Sequence, residues 1–402
     1  MGSTNSKQSL LAYLCIGGLL SGIVLIGITS TFALMLSEKG VSIKTITNIL
    51  LATLPYSWRF IISPSIKNIL IKMESKKLNG VRVISFISQS ILSIGFACLG
   101  MFDNNNYLLL SGLLILLIVI ASTSHEVVRS HIKLCLFKKE DLGIVTSVEN
   151  TGFRIGMFLA GACIIYLSNV VGWKESFMIF GFGMLAISMT TFVLNVGKTC
   201  EKLQIQSTKK CLKFCLNFFN KKNLFFLSFL LIAFKFSDSS TVSLKALLMK
   251  DLSVGKTEFA NISYLIGLFV MILSGVLAGW LSKKIGTKNC IYSSVIGHIL
   301  VAIVFLYMVT FKPNIITIAI LISISTFIFG FSGVVFRTYI AEISEKDVNM
   351  YTILMSIGSA IRISSYSLAG LIVEKYSWCT VYMICIISNI PAIIAFNKRK
   401  SW

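Results

Sequence analysis

Ionisable side chains inside strongly apolar segments are the residues of this sequence whose types and spacing could do chemistry. The stretch FKFSDSS carries Lys235 and Asp238 three residues apart, so both lie on one helix face and can pair. Lys245 follows seven residues after Asp238 and returns to that face. A charge at mid-membrane costs about 2.5 to 3.5 kcal/mol even on the lenient insertion scale, so it usually faces a cavity or a partner. We therefore expect this polar stripe to line a water-filled pathway.

A second polar run, ASTSHEVVRSHIK, places His125 and Arg129 one helical turn apart, with Glu126 between them in sequence. Two interpretations stay open: the run lines a cavity, or it is a helix end that is solvated at the membrane surface. Glu126 lies deepest in the apolar segment and is the better candidate for a carboxylate that exchanges protons. Glu126, Asp238 and His125 are the candidates for proton coupling or for switching ion-pair partners.

Single arginines in other apolar segments form a third group. Arg154 in TGFRIGM and Arg362 in SAIRISS occupy corresponding segments of the two parts of the chain. A guanidinium group binds carboxylate or phosphate with two parallel hydrogen bonds, so either residue could hold an anionic substrate or could lock helices by pairing with acidic side chains. Arg59 either faces the cavity or reaches an interface. The candidate substrate-binding residues are Arg154, Lys235, Lys245, Arg362 and Arg59.

The composition excludes most soluble protein classes. Of the 402 residues, 55% are hydrophobic and 13% are charged, whereas soluble domains carry about 25% charged residues. The formal charge of +21 would suggest a nucleic-acid partner, but the sequence has no zinc-ligand spacing, no basic helix with interleaved aromatics and no nucleotide-binding glycine motif. We expect no nucleic-acid partner, no metal and no cofactor. We also expect no enzymatic activity, since no nucleophile has its base and oxyanion partners.

Apolar runs of about bilayer length predict an all-α membrane protein of twelve spans in two pseudo-symmetric six-helix halves. The first run is too long for a signal peptide and stays as span 1. A basic cytoplasmic linker, 196–222, separates an N-terminal bundle, 1–195, from a C-terminal bundle, 223–402. The predicted spans are 10–36, 43–66, 81–102, 107–128, 143–168, 173–195, 223–249, 258–282, 289–310, 314–336, 348–373 and 377–396.

The distribution of lysine and arginine predicts the orientation, because cytoplasmic loops retain positive charge. With both termini inside, 25 of the 37 basic residues fall in cytoplasmic segments, seven in outer loops and five within spans. A bias toward lysine codons would not select alternate loops. We therefore expect a multi-pass protein of a bacterial inner membrane with both termini in the cytoplasm.

Internal echoes and glycine pairs indicate duplication and close helix packing. SEKGVSIKTITNI before span 2 resembles LSVGKTEFANI before span 8. The pairs Gly18/Gly22, Gly152/Gly156 and Gly275/Gly279 place two small residues on one helix face, as closely packed helices require. GWLSKKIGTK, from Gly279 to Lys288, resembles the motif G-x-x-x-D-R-x-G-x-[KR] of the major facilitator superfamily, except that Lys283 replaces the aspartate. The candidate gating residues are Gly279, Lys283, Lys284, Gly286 and Lys288.

The order and spacing of these motifs resemble the AmpG-type muropeptide permeases of the major facilitator superfamily over nearly the whole chain. The resemblance rests on LPYSWRFIISP, HEVVRSHIK, GFRIGMFLAGA and GWKESF in the first half, and on FKFSDS, VGKTEFANI, GVLAGWLSKKIG and SAIRISSYSLAG in the second. By position, Arg154, Lys235, Asp238 and Arg362 match charged residues of that family. Glu126 stands for the family's usual aspartate, while Ser130 replaces its second acidic residue.

The resemblance implies a proton-driven importer of N-acetylglucosaminyl-anhydromuramyl peptides, used in cell-wall recycling. From the residues we expect a monomeric secondary-active carrier of a small anionic solute and protons, with a cavity between its two bundles that opens alternately to each side. The altered motifs leave a second function class open: a membrane receptor or regulatory pseudo-transporter that binds a related ligand without turnover.

Overall fold

A computed structural model describes residues 2–75, 79–102, 107–136, 142–193, 236–237, 240–241, 244–343 and 348–398. All regular secondary structure in these ranges is helical. The predicted linker 196–222 lies outside the described residues, as does most of the predicted span 7. The chain clusters into two compact units, which are Met1–Lys39 with Ala52–Phe214, and Gly40–Leu51 with Cys215–Trp402.

The helices of the first unit follow the predicted spans 1 to 6. Span 1 consists of α1, a π-helical segment and α2, and span 5 has the same construction. The bounds are α1 (Gly2–Ile26), a π segment (Gly27–Phe32), α2 (Ala33–Glu38), α4 (Arg59–Ser75), α5 (Gly80–Leu99), α6 (Leu108–Leu136), α7 (Leu142–Phe158), a second π segment (Leu159–Cys163), α8 (Ile164–Val171) and α9 (Trp173–Val193).

The second unit contains the remaining helices, and it includes a short piece of the predicted span 2. This piece is α3 (Ile43–Ile49), which continues into the 3-10 helix Leu50–Trp58. The other bounds are α10 (Lys245–Asp251), α11 (Lys256–Ala260), a third π segment (Asn261–Ile266), α12 (Gly267–Ile285), α13 (Thr287–Phe311), α14 (Ile315–Ile343), α15 (Val348–Lys375) and α16 (Trp378–Lys398).

Eight stretches of the described chain are long and apolar enough to cross a membrane, which agrees with a multi-pass membrane protein. They coincide with predicted spans 1, 3, 4, 5, 8, 9, 10 and 11, and they are Gln8–Glu38, Gly80–Leu99, Leu108–Ser130, Val148–Val171, Lys256–Ser282, Thr287–Phe311, Ile315–Ile340 and Leu354–Lys375. Trp378–Ile390 is a shorter apolar helix at predicted span 12. The predicted span 2 is a broken helix, with Pro55 inside its 3-10 turn. The count of twelve stays a prediction.

Helices α1 and α7 pack at backbone distance because each has glycine where the other approaches. A Cβ atom on Gly152 would lie 2.1 Å from the carbonyl oxygen of Cys15, and one on Gly156 would lie 2.1 Å from that of Leu19. Gly18 and Gly22 approach α7 in the same way, so the predicted close packing of both pairs is confirmed. The third pair was predicted wrongly: beside Gly275 the nearest atom is 3.6 Å away, and Gly279 faces open space.

The π segments of spans 1 and 5 continue this packing beyond the glycine pairs. The hydroxyl of Thr31 in the first segment donates to the carbonyl oxygen of Ala160 in the second, at 2.7 Å. A π segment leaves a backbone carbonyl free of its regular helical partner, and such segments are frequent at functional sites. The Thr31 hydroxyl thus gives this carbonyl a hydrogen-bond donor inside an apolar interface, where water is not available to donate.

The distribution of side chains is the reverse of that in a soluble protein, with large apolar residues exposed and many hydroxyl groups buried. Leu109, Phe269 and Val276 expose between 69 and 82% of their surfaces, whereas Ser93, Thr123 and Ser294 are buried. The buried hydroxyls donate to carbonyl oxygens one turn earlier in their own helices, as Thr123 does to Val119 at 2.8 Å. Exposed leucine and phenylalanine cost nothing against acyl chains, and satisfied hydroxyls can be buried among them.

The segment Gly40–Leu51 packs within the second unit, against α15. A Cβ atom on Gly370 would lie 2.0 Å from the hydroxyl oxygen of Thr47, so only glycine fits at this crossing. One turn away, the hydroxyl of Ser367 donates to the side-chain oxygen of Asn48. The start of the predicted span 2 therefore clusters with the second unit although it precedes most of the first in sequence.

Candidate functional site

Arg59 and Glu126 form an ion pair between α4 and α6 in the first unit. The guanidinium Nη2 lies 2.7 Å from the carboxylate Oε2, and the two side chains expose 31% and 27% of their surfaces. Both residues are candidates from the sequence, in different roles, and the fold makes them partners. Because the pair is partly exposed, neither partner is sealed inside the unit.

A second ionic cluster joins α6 to α7 more deeply in the same unit. Glu149 uses both carboxylate oxygens: Arg129 Nη1 donates to one at 2.9 Å, and Lys133 Nζ donates to the other at 2.8 Å. Arg129 is buried and also donates to the hydroxyl of Ser21 in α1, at 2.8 Å. We call Arg129, Lys133 and Glu149 the ion triad; it fixes the rotation of α6 relative to α1 and α7.

Gly17 makes the ion triad possible. A Cβ atom at this position would lie 2.2 Å from Cδ of Arg129 and 3.0 Å from Cε1 of His125. The side chain of Arg129 therefore crosses α1 through the space that the missing methyl group leaves. A larger residue at position 17 would displace the arginine from Glu149.

His125 is fully buried at the centre of a neutral hydrogen-bond network. Its Nε2 lies 3.0 Å from Nε2 of Gln89 and 3.4 Å from the hydroxyl of Tyr13, which in turn lies 2.6 Å from that of Ser85. The hydroxyl of Thr191 contacts Oε1 of Gln89 at 2.7 Å, which orients the amide so that its nitrogen faces the histidine. An amide nitrogen only donates, so the imidazole Nε2 accepts and His125 is neutral in this arrangement.

The polar run in span 4 is helical throughout, and part of it lies in the interior of the first unit. Helix α6 continues to Leu136, and His125 and Arg129 are buried inside the first unit rather than solvated at a frayed end. Glu126 faces Arg59, and Arg129 faces Glu149, so consecutive turns of one helix serve two separate ionic sites.

The structure describes three of the remaining predicted site residues. Arg154 is half-buried on α7, with Nη1 3.7 Å from Sδ of Met157. Lys245 is half-buried at the start of α10, and Arg362 is half-buried on α15. Lys235 and Asp238 lie outside the described residues, so the predicted stripe on span 7 stays a prediction.

The predicted gating motif forms a tight connection between α12 and α13. Gly286 alone separates the two helices and has φ 85°, a conformation that favours glycine. The ammonium group of Lys284 lies 4.7 Å from the centre of the Trp280 ring, and Lys288 is exposed. The side chain of Lys283 is not among those described. The motif's backbone therefore has the expected sharp turn, while its gating role stays a prediction.

Sequence reasoning missed Gln89 and Tyr13 as site residues, and it named Glu149 only as one acidic side chain with which an arginine could pair. Each contacts a partner on another helix, between 16 and 112 residues away in the chain, so no local spacing announces the contact. Gly17 beside Gly18 was the one available signal, since adjacent glycines in a span favour close approach on two faces. In the described residues no group of three or more cysteine, histidine or acidic residues is arranged to hold a metal ion.

Comparison with known proteins gives one family. The model of the Major Facilitator Superfamily matches residues 14–363. "Putative transporter AmpG 3" of Rickettsia prowazekii is 28% identical over 380 residues, which are 92% of this chain and 90% of that protein. "Putative transporter AmpG 1" of Rickettsia conorii is 24% identical over 417 residues, covering 98% and 99%.

Solved structures give the same fold. The nucleoside transporter NupG has a TM-score of 0.70 at 16% identity, over 98% of this chain and 99% of that one. A D-xylose–proton symporter has a TM-score of 0.67 at 13% identity, over 97% of each chain. At these identities the likeness establishes architecture, and says nothing about the solute.

Proposed function

Since the chain belongs to the major facilitator superfamily and is a secondary transporter of the AmpG type, we propose that it imports muropeptides or a related anionic solute together with protons. The names of the relatives support the solute class, and the excess of basic side chains in the spans supports an anionic cargo. The protein would act as a monomer in a bacterial inner membrane, with both termini in the cytoplasm.

The Arg59–Glu126 pair is the observation that carries the proton-coupled mechanism. A carboxylate that is held by one cation and partly exposed has two states: ionised and paired, or protonated and released. In the released state Arg59 is free to bind a carboxylate of the solute bidentately. Proton binding and solute binding at this pair are therefore linked, which is the requirement for co-transport.

The other charged candidates have supporting roles in the proposal. Arg154, Lys235, Lys245 and Arg362 would bind the anionic groups of the solute, and Asp238 would be a second proton-exchanging carboxylate. His125 would act as a neutral positioning residue that holds α6, because its ring is buried and its Nε2 faces the neutral side chains of Gln89 and Tyr13.

Uptake measurements test the solute. Energised vesicles that contain the protein should accumulate labelled anhydromuropeptides, and excess unlabelled anhydromuropeptide should compete better than simple amino sugars or short peptides. Counterflow in proteoliposomes separates a carrier from a receptor, since a receptor binds without exchange. Absence of counterflow together with ligand-induced thermal stabilisation would reject transport in favour of the receptor.

Proton flux tests the coupling. Glu126→Gln should abolish solute-driven proton uptake while retaining counterflow, because the amide cannot release a proton but leaves a polar group beside Arg59. Asp238→Asn tests the second carboxylate in the same way. Glu175→Gln, an exposed carboxylate in the first turn of α9, is the control and should behave as the parent protein. Unchanged proton uptake in both test variants would remove these carboxylates from the mechanism.

A further inference from the structure

Two tryptophans tie the ends of helices together, one in each unit. The indole N–H of Trp173, the first residue of α9, donates to Glu38 at the end of α2, with 2.8 Å between Nε1 and Oε2. The indole N–H of Trp378, the first residue of α16, donates to Asp251 at the end of α10, with 2.8 Å between Nε1 and Oδ2. Equivalent helix ends are thus joined by the same bond.

Neither tryptophan behaves as an ordinary anchor at the membrane surface. Trp173 and Trp378 expose 9% and 8% of their surfaces, whereas Trp58 and Trp280 expose 43% and 55%. Interfacial tryptophans keep their rings among the lipid headgroups. A buried indole N–H needs an acceptor inside the protein, and a carboxylate provides a charge-assisted one. The two bonds are internal connections within their units.

The aromatic surroundings of the two bonds are also duplicated. Four residues after each tryptophan comes a fully buried ring, Phe177 or Tyr382, with centroid distances of 6.5 and 6.2 Å to its tryptophan. Each of these rings packs against a buried phenylalanine of another helix: Phe96 of α5 at 5.2 Å and 42°, and Phe305 of α13 at 5.4 Å and 47°. Three helices therefore meet at each bond with similar ring spacings, while the tryptophan and its neighbouring ring are inclined by 37° in the first unit and by 14° in the second.

The turn after each carboxylate repeats as well. Two residues beyond Glu38, Gly40 has φ 84°; two residues beyond Asp251, Ser253 has φ 60°. Serine adopts this left-handed conformation rarely and at a cost, so the turn after Asp251 is retained without the glycine that makes it easy. Each carboxylate that binds a tryptophan is therefore followed by the same kind of turn.

We propose that the bonds Glu38–Trp173 and Asp251–Trp378, together with the aromatic rings beside them, stay formed throughout the transport cycle. We call each bond with its rings a clamp, and a clamp is closed while its bond is formed. Each clamp holds the first and last spans of its half against the third span at one end of these helices. These three spans then move as one rigid group while other spans move. Opening a clamp would leave a buried indole N–H without an acceptor, which disfavours any state in which it is open. Of the two experiments that test this proposal, the transport measurement rests on the proposed function, whereas the hydrogen-exchange measurement does not.

Hydrogen–deuterium exchange of the purified full-length protein tests the clamps directly. Trp173→Phe should raise amide exchange about tenfold in α2 and the first turn of α9, and leave α10 and the first turn of α16 unchanged. Trp378→Phe should do the reverse. Glu38→Gln, which keeps an acceptor, should have a smaller effect than Glu38→Leu. Trp280→Phe is the matched control and should leave all four segments unchanged.

Transport kinetics test the role of the clamps in the cycle. The double variant Trp173→Phe/Trp378→Phe should lower the maximal uptake rate by about threefold or more with an unchanged KM, because the clamps contact no solute. A raised KM with an unchanged maximal rate would overturn the proposal, as would unaltered exchange in the tied segments. If the parent protein takes up no anhydromuropeptide, the proposed function fails while the exchange results still decide whether the clamps exist.

Discussion

Carboxylates in the first unit occupy two environments that differ in how readily a proton can reach them. Glu126 has Arg59 as its ionic partner and is partly exposed, whereas Glu149 binds Arg129 and Lys133 and is mostly enclosed. Glu149 is bonded to two cations and Glu126 to one, so Glu149 ties its helices together more firmly. We therefore propose proton exchange for Glu126 and helix fixation for Glu149.

Removing one partner of the Arg59–Glu126 pair should lower the stability of the protein more than removing both partners. Arg59→Gln leaves Glu126 without its cation, and we expect a loss of about 1 to 2 kcal/mol, below the loss for a fully buried pair because both groups reach solvent. Arg59→Gln with Glu126→Gln should recover most of that loss. Thermal unfolding in detergent measures both, with Glu175→Gln as control; a double variant less stable than Arg59→Gln would contradict the pairing.

The ion triad predicts a ranked series of stability losses. Glu149→Gln leaves two cations without their carboxylate, one of them buried, and should cost about 3 kcal/mol or more. Lys133→Gln should cost least, since the bond between Arg129 and Glu149 remains; Arg129→Gln should lie between them. The same unfolding assay measures the order. A Lys133→Gln variant as unstable as Glu149→Gln would show that Arg129 is not the principal partner.

Helices α1 and α7 are joined by backbone contact rather than by interlocking large side chains. Four glycines create the contact, and the bond from Thr31 to Ala160 extends it into the π segments. Between helices in lipid the attraction comes from close van der Waals packing, since lipid is as apolar as leucine. The pair should therefore be sensitive to single methyl groups.

Gly152→Ala should destabilise the first unit by about 1 to 3 kcal/mol, because its Cβ would meet the Cys15 carbonyl at 2.1 Å and backbone cannot yield cheaply. The matched control is Gly183→Ala in α9, where nothing lies within 4 Å and alanine should be neutral or slightly stabilising. Thermal unfolding of the two variants in detergent compares them. Equal stability of both variants would mean that α1 and α7 are not in backbone contact.

On the scale of the whole molecule, the two units share duplicated features without sharing residues. The clamps and the aromatic packing around Phe177 and Tyr382 occur once in each, and a turn with positive φ follows each clamp carboxylate, Glu38 and Asp251. The turns belong to the echo that is visible in the sequence. The duplication supports two homologous halves, and with them an even number of spans and two termini on the same side.

Reporter fusions test that topology. Alkaline phosphatase fused after Lys312 should be active, because this loop is predicted to lie outside, whereas the same enzyme fused after Lys288 should be inactive. A fluorescent protein fused after Trp402 should fluoresce, as it does only in the cytoplasm. Activity of the Lys288 fusion together with a dark C-terminal fusion would reverse the orientation.

The sequence by itself determined the class, the helical spans and the family. Hydrophobic length and charge asymmetry act along the chain, so eight spans appear where the apolar runs predict them. The glycine pairs of α1 and α7 were also readable, because helical periodicity places residues i and i+4 on one face. The candidates Arg59, Glu126 and His125 could be named as well, because placing an ionisable side chain inside an apolar span costs free energy in lipid.

Only the tertiary structure decided which of these residues meet. Glu126 pairs with Arg59, Glu149 bridges Arg129 and Lys133, and the third glycine pair does not approach another backbone. The bonds from Trp173 and Trp378 to their carboxylates are likewise visible only in the folded chain. Partners on different helices are separated by many residues, and the rotation of each helix about its axis follows from the packing of all its neighbours, which no local pattern encodes.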